Sequence, residues 1–353
     1  MAVDPGIAEL LARVNRRPPP SQPVSLAQAR RGVYRLAEIV APEPEIAMYS
    51  VEDATIPGPV TGIPIRTYRP TADPAPTAVY FHGGGWMTGS IASHDFLVRK
   101  LAQESGLVFV SVDYRLAPEH PFPAGLDDCL AATAWVDEHI HDYGGVGDQL
   151  SVAGDSSGGN LAAVVARRFL DQGRHLNAQL LLYPVIDSAG DYPSRHESGR
   201  GYLLTLDDIV TSARNYLGDR PELLGSTDVA PIRATDLSGL APAVIGVAHH
   251  DPLRDEGLAY ADKLAATGVD VFAKDYPGMI HTFASLYAIS TGANQALQEL
   301  LTEFSRRARI HPPTREAGGT RYQLKESSAN ILIDSCHIAG YACPHIHEGK
   351  AQR

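Results

Sequence analysis

The chain has 353 residues, 44% apolar and 20% charged, which suits one large α/β domain with a small cap, or two modest domains, and allows a sizeable core. Its formal net charge of −11 excludes the basic footprint of a nucleic-acid binder, and no apolar run approaches the length of a bilayer span. Cys129 stands alone in the body, with Cys336 and Cys343 near the C-terminus, so no disulfide framework is expected and a cytoplasmic protein is.

In chain order, residues 1–45 read as two helices around a break at Pro18-Pro19-Pro20, the first with Ile7, Leu10, Leu11 and Val14 on one face, the second over Leu26–Val40. Apolar runs then alternate with helical patterns. Strands are expected at Ile63–Tyr68, Thr77–His82, Leu107–Val112, Leu150–Ala153, Gln179–Tyr183, Ala243–Ala248 and Val271–Asp275. Helices are expected near His94–Gln103, Ala124–His139, Ser157–Phe169, Asp255–Ala266 and Ala293–Arg309. This alternation implies a mostly parallel central sheet with helices on both faces. The short link after Ile63–Tyr68 leaves no room for a crossover, so the sheet should begin antiparallel.

Residues 188–232 interrupt the rhythm with a polar stretch and a helix near Leu206–Leu217, as an inserted lid would. The expected organisation is cap helices over 1–45, core over 46–187, a cap insertion over 188–232, core over 233–310, and a tail over 311–353 that is disordered or non-native. The tail holds Cys336, His337, Cys343, His345 and His347, zinc-type ligands at no standard spacing. No metal or organic cofactor is expected.

The sharpest motif is Gly154-Asp155-Ser156-Ser157-Gly158-Gly159-Asn160, between the run Leu150–Ala153 and a helical pattern. A Gly-x-Ser-x-Gly turn between strand and helix strains the serine and lifts its hydroxyl above the sheet. Only Ser156 has glycines on both sides in that frame; centred on Ser157, the upstream position is Asp155. The N–H of Ser157, at the positive end of the following helix, can face a developing oxyanion. His82-Gly83-Gly84-Gly85-Trp86 follows an expected strand, and its glycines let backbone N–H groups approach such an oxygen. It does not lead into a helix or carry a lysine, as a phosphate loop would. His82 reads as a loop-fixing hydrogen-bonder.

A nucleophilic serine of this kind needs a base and an acid later in the chain. Asp251, Asp255 and Asp187 all lie near strand ends after Ser156. His281 lies between the last strand and the last helix, while His249 and His250 precede Asp251 and are expected to pack or line the pocket. Trp86, Phe122, Tyr202 and Phe283 are candidates for the pocket wall, and Glu119 and Asp128 for ion pairs beneath it.

With Asp113-Tyr114-Arg115-Leu116-Ala117-Pro118-Glu119-His120-Pro121-Phe122-Pro123-Ala124, these two motifs resemble the hormone-sensitive-lipase family of bacterial esterases, over the body as far as Arg309. The resemblance implies an α/β-hydrolase fold with a helical cap. It also implies a triad of Ser156, Asp251 and His281, with oxyanion donors at Gly84, Gly85 and Ser157. Ser157 departs from the family's usual Ala. The function implied is hydrolysis of short to medium acyl-chain carboxylic esters through an acyl-enzyme, on a small-molecule substrate and in a possible homodimer. A peptidase or amidase on the same fold, and a non-catalytic small-molecule receptor, are the competing readings.

Overall fold

The computed structural model describes residues 2–16 and 24–310. Helices α1 (Pro5–Asn15) and α2 (Leu26–Val40) begin the chain. Asp4 caps the first by accepting from the Gly6 N–H, and Ser25 and Gln28 form a reciprocal capping box on the second. The break at Pro18–Pro20 and the tail beyond 310, with Cys336, His337, Cys343, His345 and His347, lie outside the described residues.

The body follows as β1 (Ser50–Ile56), β2 (Ile63–Arg69), β3 (Ala75–Phe81), α3 (Ile91–Ser105), β4 (Val108–Val112), α4 (Ala124–Glu138), β5 (Gly145–Asp155) and α5 (Ser157–Asp171). It continues through β6 (Gln179–Leu182), α6 (Pro193–Ser198), α7 (Leu206–Leu217), β7 (Ala243–His250), α8 (Arg254–Ala266), β8 (Val271–Ile280) and α9 (Thr291–Ala308). The strands form one sheet in the order β1-β2-β4-β3-β5-β6-β7-β8. Pairing is antiparallel for β1 with β2 and for β2 with β4, and parallel from β4 to β8.

The expected antiparallel start is present, but β2 lies against β4 rather than against β3, the next strand in sequence. β1 was not expected. Its sequence Ser-Val-Glu-Asp-Ala-Thr-Ile is mostly exposed at the sheet edge, so it carries almost no apolar signal. β8 runs on through Pro277 to Ile280, where a break after Asp275 was expected. An edge strand tolerates a proline because one of its sides needs no ladder bond.

Alternation along the strands separates two cores. Val79, Phe81, Val110 and Val112 face one layer with residues of α4, α5 and α8, while Ala78, Tyr80 and Phe109 face the other with residues of α3 and α9. Each fully buried valine, leucine or phenylalanine contributes about 1.5–3 kcal/mol. Because the central strands are parallel, β3, β5 and β7 all release their chains at one edge. The loops at this carboxyl edge are where an open α/β sheet forms its crevice. Among the described residues, no helix is long and apolar enough to cross a membrane.

Candidate active site

At the carboxyl end of β5 the chain turns into α5 within one residue. Ser156 occupies that position with φ 55° and ψ −120°, a conformation costing about 1–3 kcal/mol. Close backbone approach explains the flanking glycines. A Cβ on Gly154 would strike the carbonyl of Gly158, and one on Gly158 would strike the carbonyl of Phe81 in β3. The turn is held by Ser156 N–H donating to the Leu182 carbonyl (2.8 Å) and by Val185 N–H donating to the Ser156 carbonyl (3.1 Å).

The Ser156 hydroxyl oxygen lies 2.9 Å from His281 Nε2, and His281 Nδ1 lies 2.7 Å from Asp251 Oδ2. Asp251 follows β7 and His281 follows β8, so adjacent parallel strands deliver the two side chains to the same edge. Both are buried, and the second Asp251 oxygen accepts from the Leu253 N–H (2.8 Å). A carboxylate so placed can orient an imidazole and stabilise its cation. The Tyr183 ring meets His281 edge-on, with ring centroids 4.9 Å apart.

The competing residues are engaged elsewhere. Asp255 accepts from the Ser194 N–H and from Arg254, both at 2.8 Å. Asp187 is paired with Arg233 (3.1 Å). His249 is 2.8 Å from Asp275, and His250 stacks on Tyr202. Both pack at the strand end as expected, but neither lines the cavity, which was also expected of them.

The turn after β3 has positive φ at Gly84 (122°), Gly85 (61°) and Trp86 (59°). The N–H groups of Gly84, Gly85 and Ser157 donate to no acceptor among the described residues. Gly83 N–H instead donates to Asp155 Oδ1 (2.7 Å), which also accepts the Tyr80 hydroxyl (2.5 Å). Burial acts to raise the Asp155 carboxyl, but His94, Tyr80 and the Gly83 N–H hold it below the ordinary carboxylate value. Asp155 thereby ties the β3 loop to the β5 elbow. Its position in the motif was plain in the sequence, but its partner depends on β3 and β5 lying side by side.

His82 is a fixer of this loop. Its Nδ1 is 2.9 Å from the Gly83 carbonyl, and its ring stacks on Tyr114 with centroids 4.4 Å apart. Burial, reinforced by His94, lowers it to about 3, so it stays neutral at ordinary pH.

A cavity of about 330 Å³ opens above Ser156 and His281. Gly84, Gly85 and Asp155 contribute to its floor. Val33, Leu36, Ala37 and Val40 of α2 form part of its wall, as do Leu204, Ile209 and Ser212 from the 188–232 segment. Of the aromatic candidates only Trp86 is at the wall. Phe122 lies behind it against Tyr216, Phe283 packs on Tyr183, and Tyr202 packs on His250. The two acidic candidates do form ion pairs, Asp128 with Arg115 (2.8 Å) and Glu119 with Arg30 (2.7 Å), but Arg30 is on α2, a helix of the cavity wall, and not beneath the site as expected. No group of three or more His, Cys, Asp or Glu suited to a metal occurs among the described residues.

Comparison with known proteins places this geometry in context. A family model described as the alpha/beta hydrolase fold matches residues 78–285. The carboxylic ester hydrolase LipN of Mycobacterium tuberculosis is 41% identical over 268 residues, covering 74% of this chain and 71% of LipN. Carboxylesterase NlhH of the same species is 40% identical over 269 residues, covering 74% of this chain and 84% of NlhH. Among solved structures, an esterase of Pyrobaculum calidifontis superposes with a TM-score of 0.80 at 36% identity, covering 87% of this chain and 100% of that one.

Proposed function

This chain belongs to the α/β-hydrolase family, in its hormone-sensitive-lipase-type branch, and is a carboxylic ester hydrolase; we propose that Ser156, His281 and Asp251 carry out its reaction. The chief support is the continuous Ser156–His281–Asp251 contact, at 2.9 and 2.7 Å, beneath the cavity.

Ser156 Oγ bonds to the ester carbonyl carbon while its proton passes to His281 Nε2. Asp251 holds the imidazole by Nδ1 and balances the imidazolium. The carbonyl oxygen takes the electron pair as an oxyanion, facing the N–H groups of Gly84, Gly85 and Ser157. Each such donor is worth about 3 kcal/mol in the transition state. The tetrahedral intermediate collapses with cleavage of the bond to the alcohol oxygen, which receives the proton from His281. Water then adds to the acyl-enzyme and gives its proton to His281. In the second collapse the Ser156 oxygen leaves and recovers that proton, releasing the acid.

In this reading the helices of 1–45 and the insertion 188–232 are the cap, and the core spans 46–187 and 233–310. The cap gives the cavity an apolar wall and a volume of about 330 Å³, which favours short to medium acyl chains. The enzyme works as a homodimer, for which the outer edge of β8 offers a pairing surface. It works in the cytoplasm, in keeping with a body that carries Cys129 alone and hence no disulfide framework.

Turnover of a chain-length series of p-nitrophenyl esters tests the reading, with Ser156→Ala as its control. Activity should peak at short to medium chains and be lost in the variant. Activity retained by folded Ser156→Ala would place the nucleophile elsewhere.

A further inference from the structure

Ser157 contributes more than a backbone N–H. Its hydroxyl oxygen accepts a hydrogen bond from the Trp86 N–H (3.2 Å), across the gap between the β5 elbow and the turn that follows β3. Trp86 ends that turn at φ 59°, an uncommon conformation for a residue with a bulky side chain, and its N–H is buried. Tyr114 holds the other end of the turn, donating to the carbonyl of His82 (2.6 Å). The segment His82–Trp86 is thus held at both ends, by the Tyr114 phenol at the first and by the Ser157 hydroxyl at the last.

The Trp86 N–H belongs to the peptide that follows Gly85, so holding it restricts rotation at Gly85. Gly84 and Gly85, both at positive φ, have little conformational preference of their own to keep their N–H groups aligned. Trp86 is gripped at two further points. Its carbonyl accepts from the Ala117 N–H (2.9 Å), and its ring stacks on Tyr216 of α7 with centroids 4.3 Å apart. Of the three anchors, only the one from Ser157 is attached to the residue that supplies the third free N–H.

We propose that the Ser157 hydroxyl is a positioning group that locks the N–H groups of Gly84, Gly85 and Ser157 into one rigid oxyanion site. This rests on the acyl-transfer mechanism proposed above. An alanine at this position would leave the buried Trp86 N–H without that acceptor and Gly85 freer to turn. The cost falls on the transition state, because the oxyanion exists only there and in the tetrahedral intermediates.

The test compares wild type with Ser157→Ala on one p-nitrophenyl ester. It also compares their affinities for a trifluoromethyl ketone, which forms an oxyanion-bearing adduct on Ser156, and for the matched secondary alcohol, which does not. Ser157→Ala should lower kcat roughly five- to twentyfold, leave KM within about twofold and weaken the ketone by the same factor as kcat. Affinity for the alcohol should not change. Ser157→Cys, whose thiol is a much weaker acceptor for the Trp86 N–H, should give the same signature more weakly, and it decides the matter if Ser157→Ala does not fold.

Unchanged kcat and ketone affinity in folded Ser157→Ala would overturn the proposal. So would a loss shared equally by the ketone and the alcohol. Ser156→Ala separates this from the mechanism itself. If that variant still turns over ester, the mechanism fails, whereas an inactive Ser156→Ala beside an unaffected Ser157→Ala removes only the positioning role.

Discussion

The strand-end turns that carry Ser156, Asp251 and His281 and the helices above them are held by different means. Ser156, Asp251 and His281 each emerge within a residue of a strand's last position, and the Ser156 turn is fixed by backbone hydrogen bonds to the Leu182 carbonyl and from Val185 N–H. The segments above depend mainly on side chains. At the root of the 188–232 segment, Arg195 on α6 forms a buried pair with Glu256 (2.7 Å), whose other oxygen accepts from Ile186 and Asp187 N–H. α2 is the least embedded. It buries only Val40, and Arg30 grips the Met87 carbonyl (2.9 Å) and Glu119, while Tyr34 meets Ser90 (2.7 Å). In the proposed mechanism this difference separates chemistry from selectivity. Backbone-built loops can hold reacting atoms within tenths of an ångström, whereas side-chain ties can be altered one at a time to reshape a wall.

Substitutions on the two sides should therefore differ in kind, and the largest effect belongs to the strand edge. Asp251→Asn should lower kcat by about three to four orders of magnitude with little loss of thermal stability, because it leaves the geometry and disturbs the imidazole tautomer. Steady-state kinetics beside a melting curve checks this, and a loss of less than tenfold would assign the acid role to another residue. At the root of the 188–232 segment, Glu256→Ala leaves Arg195 buried without its carboxylate and strips acceptors from two N–H groups. Denaturant unfolding should show a loss of about 3–5 kcal/mol. The protein that remains folded should keep a kcat of the wild-type order; a specific collapse of kcat would mean that this anchor belongs to the chemistry.

The smallest effect is expected at α2. Arg30→Ala should raise KM a few-fold, most for esters whose acyl chains reach the α2 wall, with kcat nearly constant. The chain-length series reads this directly, and a uniform fall in kcat across it would erase the distinction between the two regions.

Much of the strand edge was legible in the sequence because each of its motifs is local. Glycines on both sides of Ser156, an apolar run before it and a helix after it specify a strained turn without reference to the rest of the chain. The long helices, including Leu206–Leu217, were equally plain. What the residues alone left open was the choice among Asp251, Asp255 and Asp187. All three lie near strand ends, and only the proximity of β7 to β8 brings Asp251 to His281. Strand β1 escaped notice because an exposed edge has no apolar pattern. The couplings of Asp155 to Gly83 and of Ser157 to Trp86 were hidden for a related reason: they span β3 and β5, neighbours in the sheet but about 70 residues apart in the chain.

Whether Ser156, activated by His281, is the nucleophile is read most directly with a fluorophosphonate that bonds to activated serines, the adduct being located by peptide mass spectrometry as ester turnover is lost. One adduct per chain is expected, on Ser156, forming in step with inactivation and absent from Ser156→Ala. An inactivating adduct on Ser157 or any other residue, or full Ser156 labelling with turnover intact, would contradict that role for Ser156.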